Sequence, residues 1–589
     1  MRNPFRRDLI LLHPPALYDF RTRDSFLGPF ADAVPSTAIF EMYPVGLTSI
    51  AAYLERNHYN VEIVNLAYRM LRDRTFDVPA YLARLAAPVF GIDLHWLPHA
   101  QGALAIATLV KQAHPDARIL VGGLSASYYH EELMHSPDVD FVIRGDSTEE
   151  PVRQLLQALR EGRPLNGVEN LSWRSTDGAV VANPITFVPR DLDYVDVPAY
   201  RYLLRSMFKY GSLENVVPCL EWLRYPITLL LNARGCTEDC AICGGSRSAY
   251  ARICNRTGPA YRSPARLAED VRAIASFSRG PIFVVHDPRM GGMKRAVDLF
   301  ARLEALQPAN EMIFELYYPA DDEFFEMVER SVPAWSLEIT LESPDEELRR
   351  INGKFAWSNE VAERTIERAL AHHARTVDIF FMVGLPHQRR EDALRIPGYC
   401  EQLMQRFGNT RRLRMFVSPL GPFLDPGSRA FEDPSLGYHV FSKSLAGHCE
   451  AYLHREWQHI LSYETDGMTR DEIATASYEV AARLNRLKHD HGVVDDPTYR
   501  DLDRRLRVAR GLLADTRKPV GADHDELELA NRGTMFGRDE MKWPVGQRFR
   551  VGSALLKNLI AGLAEEVIHT AARATGRFDK HVVDREVRN

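Results

Sequence analysis

The chain has 589 residues, 26% of them charged and 45% hydrophobic, with a net charge of −6. That length is too great for one core and predicts about three domains. The mildly acidic balance excludes a basic field for nucleic acid or an anionic membrane. No apolar run approaches the roughly eighteen residues of a membrane span. The arginines at the start are followed by Leu9–Leu12 and then His13-Pro14-Pro15, too short for the core of a signal peptide. The expected location is the cytoplasm, with neither nucleic acid nor membrane as partner.

The first domain is expected over 1–189. Short apolar runs at Leu9–Leu12, Val61–Val64, Val89–Ile92, Ile119–Val121 and Phe141–Ile143 alternate with helical stretches near Gly46–Arg56, Tyr81–Ala86, Leu104–Ala113 and Pro151–Glu161. Strands buried on both faces with helices between them predict an α/β, doubly wound, Rossmann-like sheet. Ligands of such sheets lie beyond the carboxyl ends of the strands. Gly122-Gly123 and Arg144-Gly145-Asp146 fall at two of those ends, where glycine lets a large ligand approach the backbone.

The second domain is expected over 190–430. Six strand candidates, Ile227–Leu231, Pro281–Val285, Met312–Tyr317, Trp335–Leu341, Val377–Val383 and Leu413–Val417, are separated by helical stretches. They predict a partial (β/α)6 barrel with its chemistry at the carboxyl ends. Directly after the first comes Asn-Ala-Arg-Gly-Cys-Thr-Glu-Asp-Cys-Ala-Ile-Cys, a C-x3-C-x2-C run of Cys236, Cys240 and Cys243. With seven cysteines in the whole chain, three within eight positions is not chance spacing. Three thiolates on one loop can hold three corners of a [4Fe–4S] cube and leave the fourth iron open; the alternative is a zinc knuckle one ligand short. Cys219, Cys254, Cys400 and Cys449 are scattered, which argues against a disulfide framework.

This run resembles the radical S-adenosylmethionine (SAM) superfamily. The order of a sheet domain with Val-Gly-Gly-x-Ser, then Val-Ile-Arg-Gly-Asp-x-x-Glu-Glu, then the triad, resembles its cobalamin-binding members over most of 8–430. The resemblance implies three cofactors: the cluster, cobalamin and SAM. Gly122, Gly123, Ser125 and Gly145 match the corrin loops. Glu342 and Ser343 after the fourth barrel strand, and Gly384 in Gly-Leu-Pro after the fifth, match the SAM loops.

Several departures qualify the match. The loop after the first strand lacks the Asp-x-His-x-x-Gly that supplies a cobalt ligand. A near miss at Asp93-Leu94-His95-Trp96-Leu97-Pro98 is read as a turn histidine, leaving cobalamin without histidine ligation. Arg69 is expected below the corrin, where a guanidinium hinders a water ligand but cannot donate to cobalt. Ile242 replaces the usual aromatic residue before the third cysteine. The second strand exit, His286-Asp287-Pro288, lacks Gly-Gly-Glu, and Asp287 is a candidate for the open iron.

The part over 431–589 is expected to be a mainly helical cap, with apolar periodicity in Ile473–Leu487, Tyr499–Leu513 and Val551–Ala572. Trp457, Tyr463, Tyr478 and Trp543 are expected in its core, and Asp425-Pro426-Gly427-Ser428 near the barrel mouth.

The enzyme class implied by the resemblance is a cobalamin-dependent radical SAM methyltransferase acting on a small molecule, with an electron donor as partner. The expected acceptor is C2 of L-tryptophan by a polar route, with Tyr317 or Tyr318 taking the proton. Two rivals are radical methylation or cyclisation with 5′-deoxyadenosine formed in step, and a non-catalytic cobalamin sensor.

Overall fold

The computed structural model describes residues 6–514 apart from 23–28, 32–33, 36–41, 199, 354–356, 409–410, 420, 422 and 455, and beyond them 542–543, 560 and 564. The expected segment Val551–Ala572 lies almost wholly outside the described residues.

The first sheet has seven strands: β1 (Leu9–His13), β2 (Val61–Asn65), β3 (Val89–Asp93), β4 (Arg118–Gly122), β5 (Phe141–Ile143), β6 (Leu171–Arg174) and β7 (Val180–Ala182). Their order is β2-β1-β3-β4-β5-β6-β7. The first five are parallel, and β6 and β7 extend the edge as an antiparallel hairpin. β1, β2 and β3 are buried at every position. Helices therefore cover both faces, and the cores on the two sides are separate clusters. The reversal of strand order beside β1 puts a crevice at the carboxyl ends of β1 and β3, where doubly wound sheets bind ligands.

The second sheet is wholly parallel and runs in chain order: β8 (Thr228–Leu231), β9 (Ile282–Val285), β10 (Met312–Glu315), β11 (Trp335–Glu342), β12 (Val377–Val383) and β13 (Leu413–Pro419). Burial alternates along these strands. Leu230, Val284, Phe314, Leu337, Ile339, Ile379 and Phe381 are fully buried in one large core with the surrounding helices. Their neighbours Leu229, Phe283, Glu315, Glu338, Thr340, Phe380 and Met382 are half-buried and face the inside of the barrel.

The carboxyl-terminal part is not purely helical. Helices Arg470–Asp490 and Asp496–Ala514 fall where the periodicity places them, but Tyr438–Val440 (β14) and Tyr463–Thr465 (β15) form an antiparallel pair beside the barrel mouth. Trp457, Tyr463, Tyr478 and Trp543 are buried. No described helix is long and apolar enough to cross a membrane.

Candidate functional site

The cysteine loop leaves β8 through Asn232, which is fully buried, and a short bridge in which Ala233–Arg234 pairs antiparallel with Ala260–Tyr261. Gly235 then turns the chain at φ +89°, with the Arg256 side chain 2.9 Å from where a Cβ would stand. Three neighbouring segments hold the loop. Ala241 N–H donates to Asn352 O at 2.8 Å and Ala430 N–H donates to Ala241 O at 2.8 Å. Gly244 N–H donates to Asp425 Oδ2 at 2.8 Å, which is how the Asp425-Pro426-Gly427-Ser428 turn meets the site. A side chain on Gly244 would stand 2.7 Å from Asp425 Cβ.

Within this frame Glu238 N–H donates to Cys236 Sγ at 3.4 Å and Gly245 N–H to Cys243 Sγ at 3.3 Å. Burial pushes the Cys236 thiol up to about 11, with Glu238 and Glu315 adding to the effect against two backbone N–H groups. All three cysteines act electrostatically on the same phenol, that of Tyr317. Among the described residues no three His, Cys, Asp or Glu side chains converge as ligands of a single ion. A cube asks for a different arrangement, one thiolate on each of three irons, with hydrogen bonds tuning the sulfurs. Three cysteines on one loop, with amide donors on two of the sulfurs, fit that group.

The strand ends around the loop carry the remaining polar groups. Glu342 closes β11 at φ +66°, where the register with β12 shifts, and its side chain is buried. A left-handed glutamate is a strained conformation that persists only when its surroundings hold it. Ser343 Oγ accepts Asp345 N–H at 3.1 Å, so it caps the following turn. Gly384 sits at φ +96°, its N–H donating to Gln388 Oε1 at 2.9 Å. Tyr463 Oη lies 3.0 Å from the position of a Gly384 Cβ. At the end of β9, His286 (φ +69°) was not anticipated as a site residue; burial pushes its imidazole down to about 4 and keeps it neutral.

Asp287 is fully buried and occupied. Its carboxylate accepts from Tyr317 N–H at 2.8 Å, Tyr318 N–H at 3.2 Å and the Arg289 backbone and guanidinium at 2.7–2.9 Å. That corrects the expectation of a ligand for the open iron, because the carboxylate is spent fixing the end of β10. Tyr317 donates from Oη to Glu315 Oε2 at 3.3 Å, and Tyr318 donates from Oη to Glu238 Oε1 at 2.9 Å. Burial and then Glu315 raise the Tyr317 phenol far above its ordinary value. Burial, with Glu238 adding, pushes Tyr318 up to about 12. Both are hydrogen-bond donors at neutral pH, which corrects the expectation that either takes a proton. Together with Glu238, Pro319, Trp357, Ser358 and Val361 they line a pocket of about 530 Å3.

On the first sheet, Gly123 (φ +122°) packs directly on the His95 backbone, within 2.5 Å of where a Cβ would stand. Ser125 Oγ donates to His95 O at 3.1 Å, and Asp93 Oδ1 accepts His95 N–H at 3.1 Å. Gly122 faces Ile143, and Gly145 (φ +102°) donates its N–H to Ser127 Oγ at 2.9 Å. These four residues thus knit together the loops at the ends of β3, β4 and β5. Missed in the sequence was a histidine group at the same edge: His13 donates from Nδ1 to Asp93 Oδ2 at 2.9 Å, and its ring centre lies 4.8 Å from that of His99. Arg69 is placed differently from expectation. Its guanidinium bonds Asn215 Oδ1 at 2.7 Å, Ser212 Oγ at 2.6 Å and Glu214 at 2.9 Å, and stacks on Tyr81 at 4.8 Å. Those contacts make it an anchor for the 212–215 segment rather than a group facing a corrin.

Two family models match the chain: the B12 binding domain over residues 32–155 and the Radical SAM superfamily over 233–396. Among curated relatives, an uncharacterized methyltransferase of Pyrococcus horikoshii is 24% identical over 34% of this chain and 40% of its own. Cytidylyl-2-hydroxyethylphosphonate methyltransferase of Streptomyces wedmorensis is 23% identical over 36% of this chain and 46% of its own. The chain thus spans under half the length of these relatives. Among solved structures, the radical SAM methyltransferase TsrM of Kitasatospora setae with cobalamin and a [4Fe–4S] cluster bound superposes with a TM-score of 0.56 at 15% identity, covering 86% of this chain and 99% of that one. The cobalamin-dependent radical enzyme OxsB, with aqua-cobalamin and SAM bound, gives 0.55 at 12% identity, covering 98% and 82%. At such identities the likeness is one of fold. The barrel and its cysteine loop define a radical SAM protein. With a B12 binding domain joined to that barrel, the chain combines the two domains that are also joined in the cobalamin-dependent radical SAM structures it superposes on.

Proposed function

We propose that the protein transfers a methyl group from SAM, by way of cobalamin, to a carbon of a small substrate, with C2 of L-tryptophan as the acceptor. The observation that carries this reading is that the segment bearing the cysteine loop is bound at both ends to the B12 binding domain, through Arg234 to Glu149 and Arg256 to Asp146. The curated relatives with methyltransferase names point the same way. When bound, the cobalamin and SAM supply the methyl carrier and its source.

The chain's own residues would do the rest. Cys236, Cys240 and Cys243 hold the cluster. Glu342, Ser343 and Gly384 border SAM at the ends of β11 and β12. Gly122, Gly123, Ser125 and Gly145 shape the edge that receives the corrin. The pocket beside the cysteine loop has aromatic walls, Tyr317, Tyr318 and Trp357, and one carboxylate, Glu238. Its volume is within the usual range for small-molecule sites. Aromatic walls suit an indole face and the carboxylate suits an ammonium group. A structure of TsrM carries tryptophan and a SAM analogue. In the pocket of this chain Tyr317 and Tyr318 stay protonated, Tyr317 donating to Glu315 and Tyr318 to Glu238. A cellular reductant is the expected electron donor.

The test is anaerobic incubation of reconstituted protein with methyl-labelled SAM and tryptophan. Label in 2-methyltryptophan with S-adenosylhomocysteine released in step is the expected result. If 5′-deoxyadenosine tracks product instead, the route is radical. Iron and corrinoid uptake without any SAM turnover would favour a sensor.

A further inference from the structure

Two buried ion pairs join the B12 binding domain to the two ends of the cysteine-bearing segment. Arg234 stands two residues before Cys236, and its guanidinium forks onto Glu149 at 2.7 and 3.1 Å. Arg256 stands just beyond helix Arg247–Cys254, which follows the third cysteine, and binds Asp146 at 2.9 Å. Side-chain exposures are 9% and 1% for the first pair, 3% and 5% for the second. Ser147 lies between them, its Oγ accepting from Arg234 at 3.2 Å and from Arg256 at 3.4 Å. Glu149 is further bound by Ser49 Oγ at 2.6 Å and Tyr194 Oη at 3.1 Å, so both carboxylate oxygens are filled. Asp146 directly follows Gly145 on the turn that closes β5, and Glu149 opens the helix Glu149–Glu161 that comes next.

Buried pairs are weak evidence for stability, since desolvation offsets much of their attraction, but a two-pronged guanidinium–carboxylate contact fixes direction and distance. Here the forked Arg234–Glu149 pair ahead of the three cysteines and the Arg256–Asp146 contact behind them tie that segment to the end of β5 and the start of the helix after it. A generic interface would have little reason to place four charges out of water at those points.

We propose that Glu149–Arg234 and Asp146–Arg256 are positioning residues that set the separation and orientation of the cluster relative to the corrin. None of the four touches the reacting atoms. They act through the cysteine loop on one side and the Gly145 turn on the other. A displacement of about 1 Å between reacting groups can cost on the order of a hundredfold in rate, so the clamp acts on turnover without contributing to the affinity for either cofactor. The inference rests on the reading that both cofactors are bound.

The test uses the full-length protein reconstituted with iron, sulfide and cobalamin, comparing wild type with Glu149→Gln. Glutamine keeps the shape and removes the charge. Iron content and corrinoid content are measured on the same samples, and the wild type must carry both; if it carries neither, the functional reading itself fails. In the variant both contents are expected to stay at wild-type levels. The relaxation enhancement of the cob(II)alamin electron spin by the reduced cluster is expected to weaken and spread. S-adenosylhomocysteine release should fall about tenfold to a hundredfold in kcat with little change in KM for SAM. Unchanged spin coupling and kcat in a fully loaded variant would overturn the proposal. If Glu149→Gln does not fold, Arg234→Lys is read the same way, because it keeps the charge and loses the fork. Failure of both to fold would make the pairs general stabilisers and likewise overturn it.

Discussion

The Asp287 carboxylate accepts the backbone N–H of Tyr317 at 2.8 Å, thirty residues away, and so determines where β10 delivers its two tyrosines. The strand itself ends at Glu315, and Leu316 follows with a hydrogen bond to Glu338 O. Beyond it the chain has no ladder partner to continue with. A buried carboxylate with five donors takes the place of that ladder, and Arg289 balances its charge.

Replacing Asp287 with alanine removes that acceptor and leaves the Arg289 guanidinium and the three amides of Arg289, Tyr317 and Tyr318 without it. Breaking a buried pair in this way costs about 3–5 kcal/mol. Chemical unfolding should show a loss of that size. Asp287→Asn, which keeps two lone pairs on Oδ1, should lose less. In either variant that still folds, iron content and the cluster's electron paramagnetic resonance spectrum should match wild type. A changed spectrum would restore Asp287 as a cluster ligand.

The three loop cysteines and the others should separate cleanly. Alanine at Cys236, Cys240 or Cys243 is expected to remove most of the iron and the brown absorbance after anaerobic reconstitution. Cys254 and Cys400 are buried in the cores of the fold, so Cys254→Ala and Cys400→Ala should retain iron while losing some stability to the cavity, about 1 kcal/mol or more. Retained iron in two of the three loop variants would dismiss the triad.

Much of this was legible in the chain because it is local. The strands of both sheets are short apolar runs, and β5 and β12 fall on the residues expected. The cysteine triad announces itself by spacing, and the B12 binding and radical SAM domains follow from the order of motifs. What stayed hidden depends on partners far away. Arg69 reads as a surface cation until Ser212, Glu214 and Asn215, more than 140 positions on, are seen to hold it. Asp287 reads as a stray carboxylate at a strand exit because its acceptor role is written thirty residues later. The hairpin of β14 and β15 escapes because each strand is three residues long and the two lie more than twenty positions apart. The pair Glu149–Arg234 spans 85 positions, and no periodicity announces it.

Glu311, directly before β10 at the end of the barrel away from the cysteine loop, gives a pH dependence with a definite sign. Burial pushes its carboxyl up to about 7 from an ordinary 4.5, against the hydrogen bond from Ser336 and the charge of Arg375. The folded state therefore holds a proton that the unfolded chain releases. Its contribution to stability is present below about pH 4.5 and is lost as pH rises through 7, up to about 3 kcal/mol. Glu311→Gln keeps an acceptor for Ser336 Oγ and cannot ionise. Urea unfolding at pH 5 and pH 8 should show variant and wild type close together at the lower pH and the variant more stable at the higher. A constant difference at both would place the Glu311 carboxyl at an ordinary value.

Tyr438 and Tyr463, facing each other across the β14–β15 pair with ring centres 5.8 Å apart, are both buried, and neither hydroxyl has a hydrogen-bond partner among the described residues. Leaving a buried hydroxyl unsatisfied costs about 1–3 kcal/mol, whereas the same ring without the oxygen packs as well. Tyr438→Phe and Tyr463→Phe are therefore expected to unfold at the same or a higher temperature than wild type in the protein free of SAM. Tyr463 lies against Gly384, so a hydroxyl that gains its bond from bound SAM would show a second effect: the Phe variant would lose part of the thermal shift that SAM confers on wild type. A lower unfolding temperature in the SAM-free variants would mean that both hydroxyls already have partners there, and the account of this hairpin as a set of unsatisfied donors would fall.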